Sequence, residues 1–328
     1  MTTPSRTLLQ ATLGAAVASG ILTAPAHAQT GYPNRPVRVV VPFVPGGSTD
    51  IIGRTVAQKL SEAWGQSVLV DNRGGGATIM GTEIVAKAPP DGYTLLIASA
   101  SFTTKMSLVD KLPYDTQADF TPITLINTTP LVLVVSPNSP AKTVKDLIAL
   151  AKAKPGQLNY GSSGMGGSNH LSGELFAAMA GIQASHVPYK GNAPALTDLM
   201  GGRVDFIFNG ATAVMPLVKA GKLRALGVTS RERAGAAPDL PTMDESGLKG
   251  YSAVAFNGIV APARTPRDII ARINADAVKG IQSADTRERL KADGSDPVGS
   301  TPEQFAAFLK EEMGKWAKII KDNGIRGE

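Results

Sequence analysis

Val37-Arg38-Val39-Val40-Val41-Pro42-Phe43-Val44-Pro45-Gly46-Gly47-Ser48-Thr49-Asp50 reads, in order, as a buried strand, a glycine turn and the opening of a helix. The valine-rich run Val37 to Val41 suits a strand covered on both faces. Beyond the turn, Ile52, Val56, Leu60 and Trp64 recur at near-helical spacing, and Gly65 is placed to end that helix. Such a junction can receive an anion, because the helix start presents unpaired N–H groups just outside the carboxyl end of a strand. Gly46 and Gly47 let a ligand approach the backbone, and Ser48 or Thr49 offers a hydroxyl. Asp50 can receive a ligand amine or cap the helix. An ordinary strand-to-helix turn explains the same residues equally well.

Working outward, short β-rich runs alternate with amphipathic helical patterns along the whole chain. Val68 to Val70, Thr94 to Ala98, Leu131 to Val135, Val204 to Phe208 and Leu226 to Thr229 read as strands. Thr143 with Asp146 forms a helix start over the stripe Val144, Leu147, Ile148 and Ala151. Thr265-Pro266 and Thr301-Pro302 are cap-then-proline starts of late helices. The last carries Phe305, Leu309, Met313, Trp316 and Ile320 as a core stripe. This alternation predicts an α/β fold with mainly parallel sheets. No internal repeat, low-complexity tract or heptad array stands out.

Two further glycine loops follow strands. In Asn72-Arg73-Gly74-Gly75-Gly76-Ala77-Thr78, Arg73 can pair with a carboxylate or sit in a salt bridge. Gly161-Ser162-Ser163-Gly164-Met165-Gly166-Gly167-Ser168-Asn169-His170 is the densest polar-glycine loop, ahead of a helix with Leu171, Leu175 and Met179 on one side. Ser168 is the expected N-cap, and the seryl hydroxyls and N–H groups suit a carboxylate; a flexible loop with a capping serine is the plainer alternative. His186-Val187-Pro188-Tyr189-Lys190-Gly191 sets an aromatic and a cation beside a short strand, a weak signal by itself. Neither a dinucleotide fingerprint nor a P-loop is complete.

Catalysis has little to draw on. Past the leader the histidines are His170 and His186, with no G-x-S-x-G elbow and no H-E-x-x-H spacing. The chain is therefore read as a non-enzyme without a metal site. A hydrolase using Ser163 or Ser168 with His170 is the rival from another class.

Composition narrows the setting. Arg6, the apolar stretch Leu8 to Ala24 and Ala26-His27-Ala28 form an export-signal pattern for residues 1–28, with cleavage expected after Ala28. Cysteine is absent, which removes disulfides, thiol catalysis and a lipidated cysteine. A soluble periplasmic protein is expected. The net charge of +6 can assist encounter with anions. Lys and Arg are scattered and aromatics are 5%, so no nucleic-acid partner is indicated. Lys315, Lys318 and Lys321 at helical spacing read as a solvated face.

The ordered set of motifs resembles the substrate-binding receptors of tripartite tricarboxylate transporters, the Bug or TctC-like family. The pieces are Tyr32-Pro33-x-Arg35-Pro36, Pro45-Gly46-Gly47-x-x-Asp50-x-x-x-Arg54, Asp71-Asn72-Arg73 and Pro90-Asp91-Gly92-Tyr93-Thr94-Leu95. They continue with Gly161 through His170, Val187-Pro188-Tyr189-Lys190-Gly191, Pro194-Ala195-Leu196, Gly221-Lys222-Leu223-Arg224-Ala225-Leu226, Ala261-Pro262 and Thr265-Pro266. The resemblance implies a type II periplasmic-binding-protein fold, two α/β lobes with a ligand cleft between them. Residues 29–127 plus 250–328 would form the first lobe and 128–249 the second. It implies capture of a small organic carboxylate, a mono- or dicarboxylate, aliphatic or aromatic, by loops of both lobes. It also implies a monomer, no cofactor, and delivery to the membrane permease subunits of such a transporter. A ligand-sensing receptor for a signalling membrane protein is the alternative within the same shape. The candidate ligand-binding residues are Phe43, Gly46, Gly47, Ser48, Asp50 and Ser99 from the first lobe. Ser162, Ser163, Gly167, Ser168, His170, Tyr189 and Asn209 come from the second. Three positions depart from the family pattern: Gly74-Gly75 for Pro-Gly, Phe256 for Trp, and Asn209 for a frequent Asp. The last argues against an amino-acid ligand.

Overall fold

The computed structural model describes residues 31–75, 78–189 and 191–325; the expected export signal and Lys190 lie outside them. The first series runs β1 (Val37–Val41), α1 (Ser48–Trp64), β2 (Val68–Asn72), α2 (Ile79–Ala86), β3 (Thr94–Ser99) and α3 (Ala100–Leu108). β4 (Phe120–Val135) leads into α4 (Val144–Ala153), β5 (Leu158–Ser162), α5 (Ser168–Ala180), β6 (Ala184–Pro188), α6 (Asn192–Met200), β7 (Phe206–Gly210), α7 (Ala211–Lys219) and β8 (Arg224–Val228). The chain ends with β9 (Val254–Pro262), α8 (Arg267–Ile281), α9 (Ala284–Ala292), β10 (Asp296–Pro297) and α10 (Pro302–Asp322).

β1 lies between β2 and β3, parallel to both, and β5 lies between β6 and β7 in the same way. These are the products of strand–helix–strand crossovers. β4 and β9 join the two sets. They pair antiparallel from Phe120 opposite Pro262 to Pro130 opposite Val254. β3 flanks β9, while β7 and β8 flank the far half of β4, all antiparallel. The directions follow from these registers. β1 and β3 run the same way as β4, and β5 and β7 run against it. The carboxyl ends of the two parallel sets therefore point toward each other across the β4–β9 crossing.

The expected strand at Leu131 is the second half of a much longer one. Pro122, Thr128, Thr129 and Pro130 break the apolar pattern of β4, yet pairing with β9 keeps it extended. The predicted helix stripes are largely found. Ile52, Val56 and Leu60 are buried on α1, and Gly65 closes it in the left-handed conformation. Full burial of such aliphatic side chains stabilises by about 1.5–3 kcal/mol each. Thr143 with Asp146 and Thr301 with Gln304 form reciprocal capping boxes. Phe305, Leu309, Met313, Trp316 and Ile320 are buried.

Other readings need correcting. The N-cap of α8 is Pro266, and the Thr265 hydroxyl donates to Pro262 O at 2.7 Å. Met179 is exposed near the end of α5. Lys315 is not solvated: its ammonium donates to Ser252 O at 2.8 Å and to the buried Glu312. One core gathers Val40, Leu96, Phe256, Val260, Phe305 and Leu309. A Cβ at Gly258 would sit 2.2 Å from the Phe305 ring, so that ring occupies the space beside the glycine. Another core unites Leu131, Tyr160, Leu175, Phe206 and Phe208 with Leu108 of α3 and with Trp316, Ile319 and Ile320 of α10.

Candidate functional site

Each of the four facing strands, β1, β3, β5 and β7, feeds directly or through a short loop into a helix: α1, α3, α5 and α7. Four helix N-termini, each with orphan N–H groups and a positive dipole end, therefore converge on the two sides of the crossing. Between them β3 ends with Ser99 opposite Asn257, Asn257 lies opposite Asn127, and β7 ends with Gly210 opposite Leu131.

The turns that open α1 and α5 have the same construction. Gly46 has φ 90° and Gly166 φ 72°, the left-handed region where glycine is at ease. Gly47 (φ −80°, ψ 168°) and Gly167 (φ −74°, ψ 164°) are then the extended N-caps, so the expected capping by Ser168 is not what forms. Ser48 and Ser168 occupy the first helical position. The third helical position reaches back in both: Asp50 Oδ2 accepts the Gly46 N–H at 2.8 Å, and His170 Nδ1 accepts the Gly166 N–H at 3.0 Å. The recurrence of Gly-Gly-Ser-x-acceptor at 46–50 and 166–170 is a short repeat that the sequence reading passed over.

Asp50 is spent on its own loop. It is 3% exposed, takes Arg54 Nε at 3.0 Å and Asn72 Nδ2 at 2.9 Å, and Asn72 also holds Phe43 O. Burial pushes its carboxyl up, but the Gly46 N–H, Arg54 and Asn72 outweigh that and hold it below the usual range. Arg73 pairs with Asp71 at 3.0 Å, the salt-bridge outcome. Gly46, Gly47 and Ser48 are exposed, and a Cβ on Gly47 would meet nothing within 4 Å. Ser99, nearly buried, is the N-cap of α3 and shares a hydrogen bond with Ser101.

On the other side, Ser163 Oγ donates to Asn169 Oδ1 at 3.1 Å, while Asn169 Nδ2 donates to Phe208 O at 2.6 Å and ties the turn to β7. His170 is 2% exposed, below the turn rather than on its surface. Ser162 is 1% exposed, with its Oγ 2.7 Å from His186 Nε2. The serine–histidine contact that forms is therefore Ser162 with His186, not Ser163 or Ser168 with His170. Tyr189 turns its hydroxyl to Asp198 at 2.8 Å; burial and that carboxylate push the phenol up. Asn209 is 2% exposed. Its Oδ1 accepts the Gly210 N–H, and its NH2 group is buried at the carboxyl end of β7 with no partner among the described residues. Sequence reasoning missed Val44, 73% exposed, and Met165, 39% exposed, the apolar tips of the two loops. An apolar residue amid proline and glycine was the only signal.

The arrangement offers anions two N–H-lined turns, an unpaired amide donor and apolar tips. The family model for the tripartite tricarboxylate transporter family receptor matches residues 52–325. BugT of Bordetella pertussis is 37% identical over 322 residues, 98% of each chain. The structure of R. palustris Rpa4515 with adipate aligns at 38% identity and TM-score 0.75, covering 90% of this chain and 99% of that one. MatC of Rhodopseudomonas palustris, with bound malate, aligns at 30% identity and TM-score 0.71, covering 88% and 100%. The chain belongs to the TctC family, the receptors of tripartite tricarboxylate transporters.

Proposed function

We propose that this receptor captures a small organic carboxylate in the periplasm and presents it, as a monomer, to the membrane permease subunits of a tripartite transporter. The observation that carries the reading is the pair of Gly-Gly-Ser turns on strands whose carboxyl ends face each other. The first lobe extends to Asn127 and resumes at Gly250; the second is Thr128 to Lys249. The ligand's carboxylate is held by first-turn N–H groups of α1 and α5, by Ser48 and Ser168, and by the free NH2 of Asn209. Asp50, Ser162 and His170 hold the turns themselves. Val44 and Met165 cover the ligand's hydrocarbon part. Anion contacts from both lobes stabilise the closed state, because only there are both made at once. Relatives solved with adipate and malate support a dicarboxylate.

A thermal-shift screen against adipate, malate and aromatic carboxylates tests this. A ligand at 100 times its dissociation constant stabilises by about 2.7 kcal/mol and raises the midpoint. An unmoved midpoint across all of them would sink the carboxylate assignment.

A further inference from the structure

Beneath the second Gly-Gly-Ser turn lies a column of stacked rings. His170 and His186 have centroids 3.9 Å apart and planes at 19°, and Tyr160 stacks on His186 at 4.9 Å. Tyr160 is seated against Gly173, where a Cβ would come within 2.3 Å of its ring, and its hydroxyl donates to Glu174. The hydrogen bonds assign the tautomers. His170 Nδ1 accepts the Gly166 N–H, so its proton is on Nε2, 3.6 Å from the Glu174 carboxylate. Ser162 Oγ donates to Gly164 O at 2.9 Å and accepts the Gly164 N–H at 3.1 Å. Its remaining lone pair accepts the Nε2–H of His186. Two backbone N–H groups of the turn thus end, directly or through one hydroxyl, on the two imidazoles.

We propose that His170 and His186, as neutral imidazoles, are positioning residues that lock the second turn in its anion-receiving shape, and that a proton on His170 unlocks it. The proposal rests on the turn being half of the ligand site. A proton on His170 Nδ1 would turn the acceptor of Gly166 into a donor facing a donor, and that bond is lost. The groups facing the pair are Glu174 from α5, Tyr160 and Ser162 from β5 and, beyond Tyr160, the apolar Phe206 from β7. Glu174 is the single carboxylate among them, and two imidazolium rings in contact exceed what it neutralises. Burial pushes His186 down to about 4, and His170 beside it adds to that. The first turn has no such switch, because a carboxylate, Asp50, holds Gly46 there. A proton on His170 Nδ1 would therefore release one turn and leave the other.

The test reads the lock with and without ligand. In the 15N-labelled protein at pH 7, both histidines are expected as Nε2–H tautomers, with the Gly164 and Gly166 amides protected from exchange. His170→Phe keeps the stack and removes the acceptor; Gly166 protection and adipate affinity are each expected to fall at least about tenfold. His170→Asn offers an Oδ1 acceptor that takes no proton. It is expected to restore both within about threefold and to flatten the acid loss of affinity expected of the native protein toward pH 4.5. Retained Gly166 protection in His170→Phe would overturn the proposal, as would a native acid profile in His170→Asn. Exchange and tautomers are read without ligand, so failure of adipate to bind would count against the carboxylate reading and leave the lock to be decided by the exchange arm.

Discussion

Gly47→Val isolates the ligand role of the first turn from its folding role. At Gly46 a side chain would be strained by φ 90°, at a cost of about 1–2 kcal/mol, so a loss of binding there would be ambiguous. Gly47 has φ −80° and an extended backbone open to any L-residue, and its Cβ would project into open space with nothing within 4 Å. In the proposed site, the valine methyls beside the start of α1 would obstruct the anion's approach to its first N–H groups. Losing one charge-assisted hydrogen bond costs about 1.5–3 kcal/mol, about tenfold to about hundredfold in affinity. The Ile52, Val56 and Leu60 stripe is untouched, so the melting midpoint should stay near native. Calorimetric titration with adipate or malate, preceded by a thermal melt, gives the number. Small-angle scattering should show less compaction on ligand addition than in the native protein. A folded Gly47→Val protein that binds with native affinity and still closes would remove Gly46, Gly47 and Ser48 from the site.

Ser168→Ala should weaken ligand binding by about 1–3 kcal/mol in the same titration with little effect on stability, since Ser168 caps nothing. Ser163→Ala should also release Asn169 from its turn, so loss of affinity is expected together with lower protection of the Phe208 carbonyl's partner. Denaturant melts against pH should show stability present above 6.5 and lost progressively as pH drops toward 4, because His186 takes its proton more readily unfolded than folded; His186→Gln should reduce that slope. Asp50, held below 3.8, contributes stability that persists in that window and is lost only in stronger acid. Gly258→Ala should destabilise by at least about 1–3 kcal/mol, read as a lowered midpoint, because the Phe305 ring occupies the added methyl's place.

Local rules made much of this legible. The strand–turn–helix unit at Val37 to Trp64, the caps at Thr143 and Thr301 and the last helix stripe are all set by neighbours within a turn or two. The two glycine loops were legible as strand-to-helix turns because each places a glycine pair between a strand and a helix. What was hidden depends on distant partners. The first part of β4 mixes threonines and Asn127 with its apolar residues and carries two prolines, and only its pairing with β9 reveals it as a strand. His170 looked like a ligand residue because it follows a serine-rich loop, but Gly166, Glu174 and His186 claim it from below. The partner of Ser162 lies on a neighbouring strand that no spacing along the chain identifies.

The two turns also explain why the acceptors differ. Both hold the N–H of a left-handed glycine, which in the proposed site would leave the following N–H groups to the ligand. In the first turn the acceptor is a buried carboxylate, and its charge would oppose an incoming anion if it stood alone. Arg54, at 3.0 Å on the same helix, neutralises it, so the N-terminal field of α1 survives. In the second turn a neutral imidazole does the same work without a charge to neutralise, and no arginine is needed beside it. The two halves thus reach the same surface chemistry by different means. In the proposed reading, a ligand spanning both would gain from each only in the closed state, and that difference in binding between open and closed forms would drive closure.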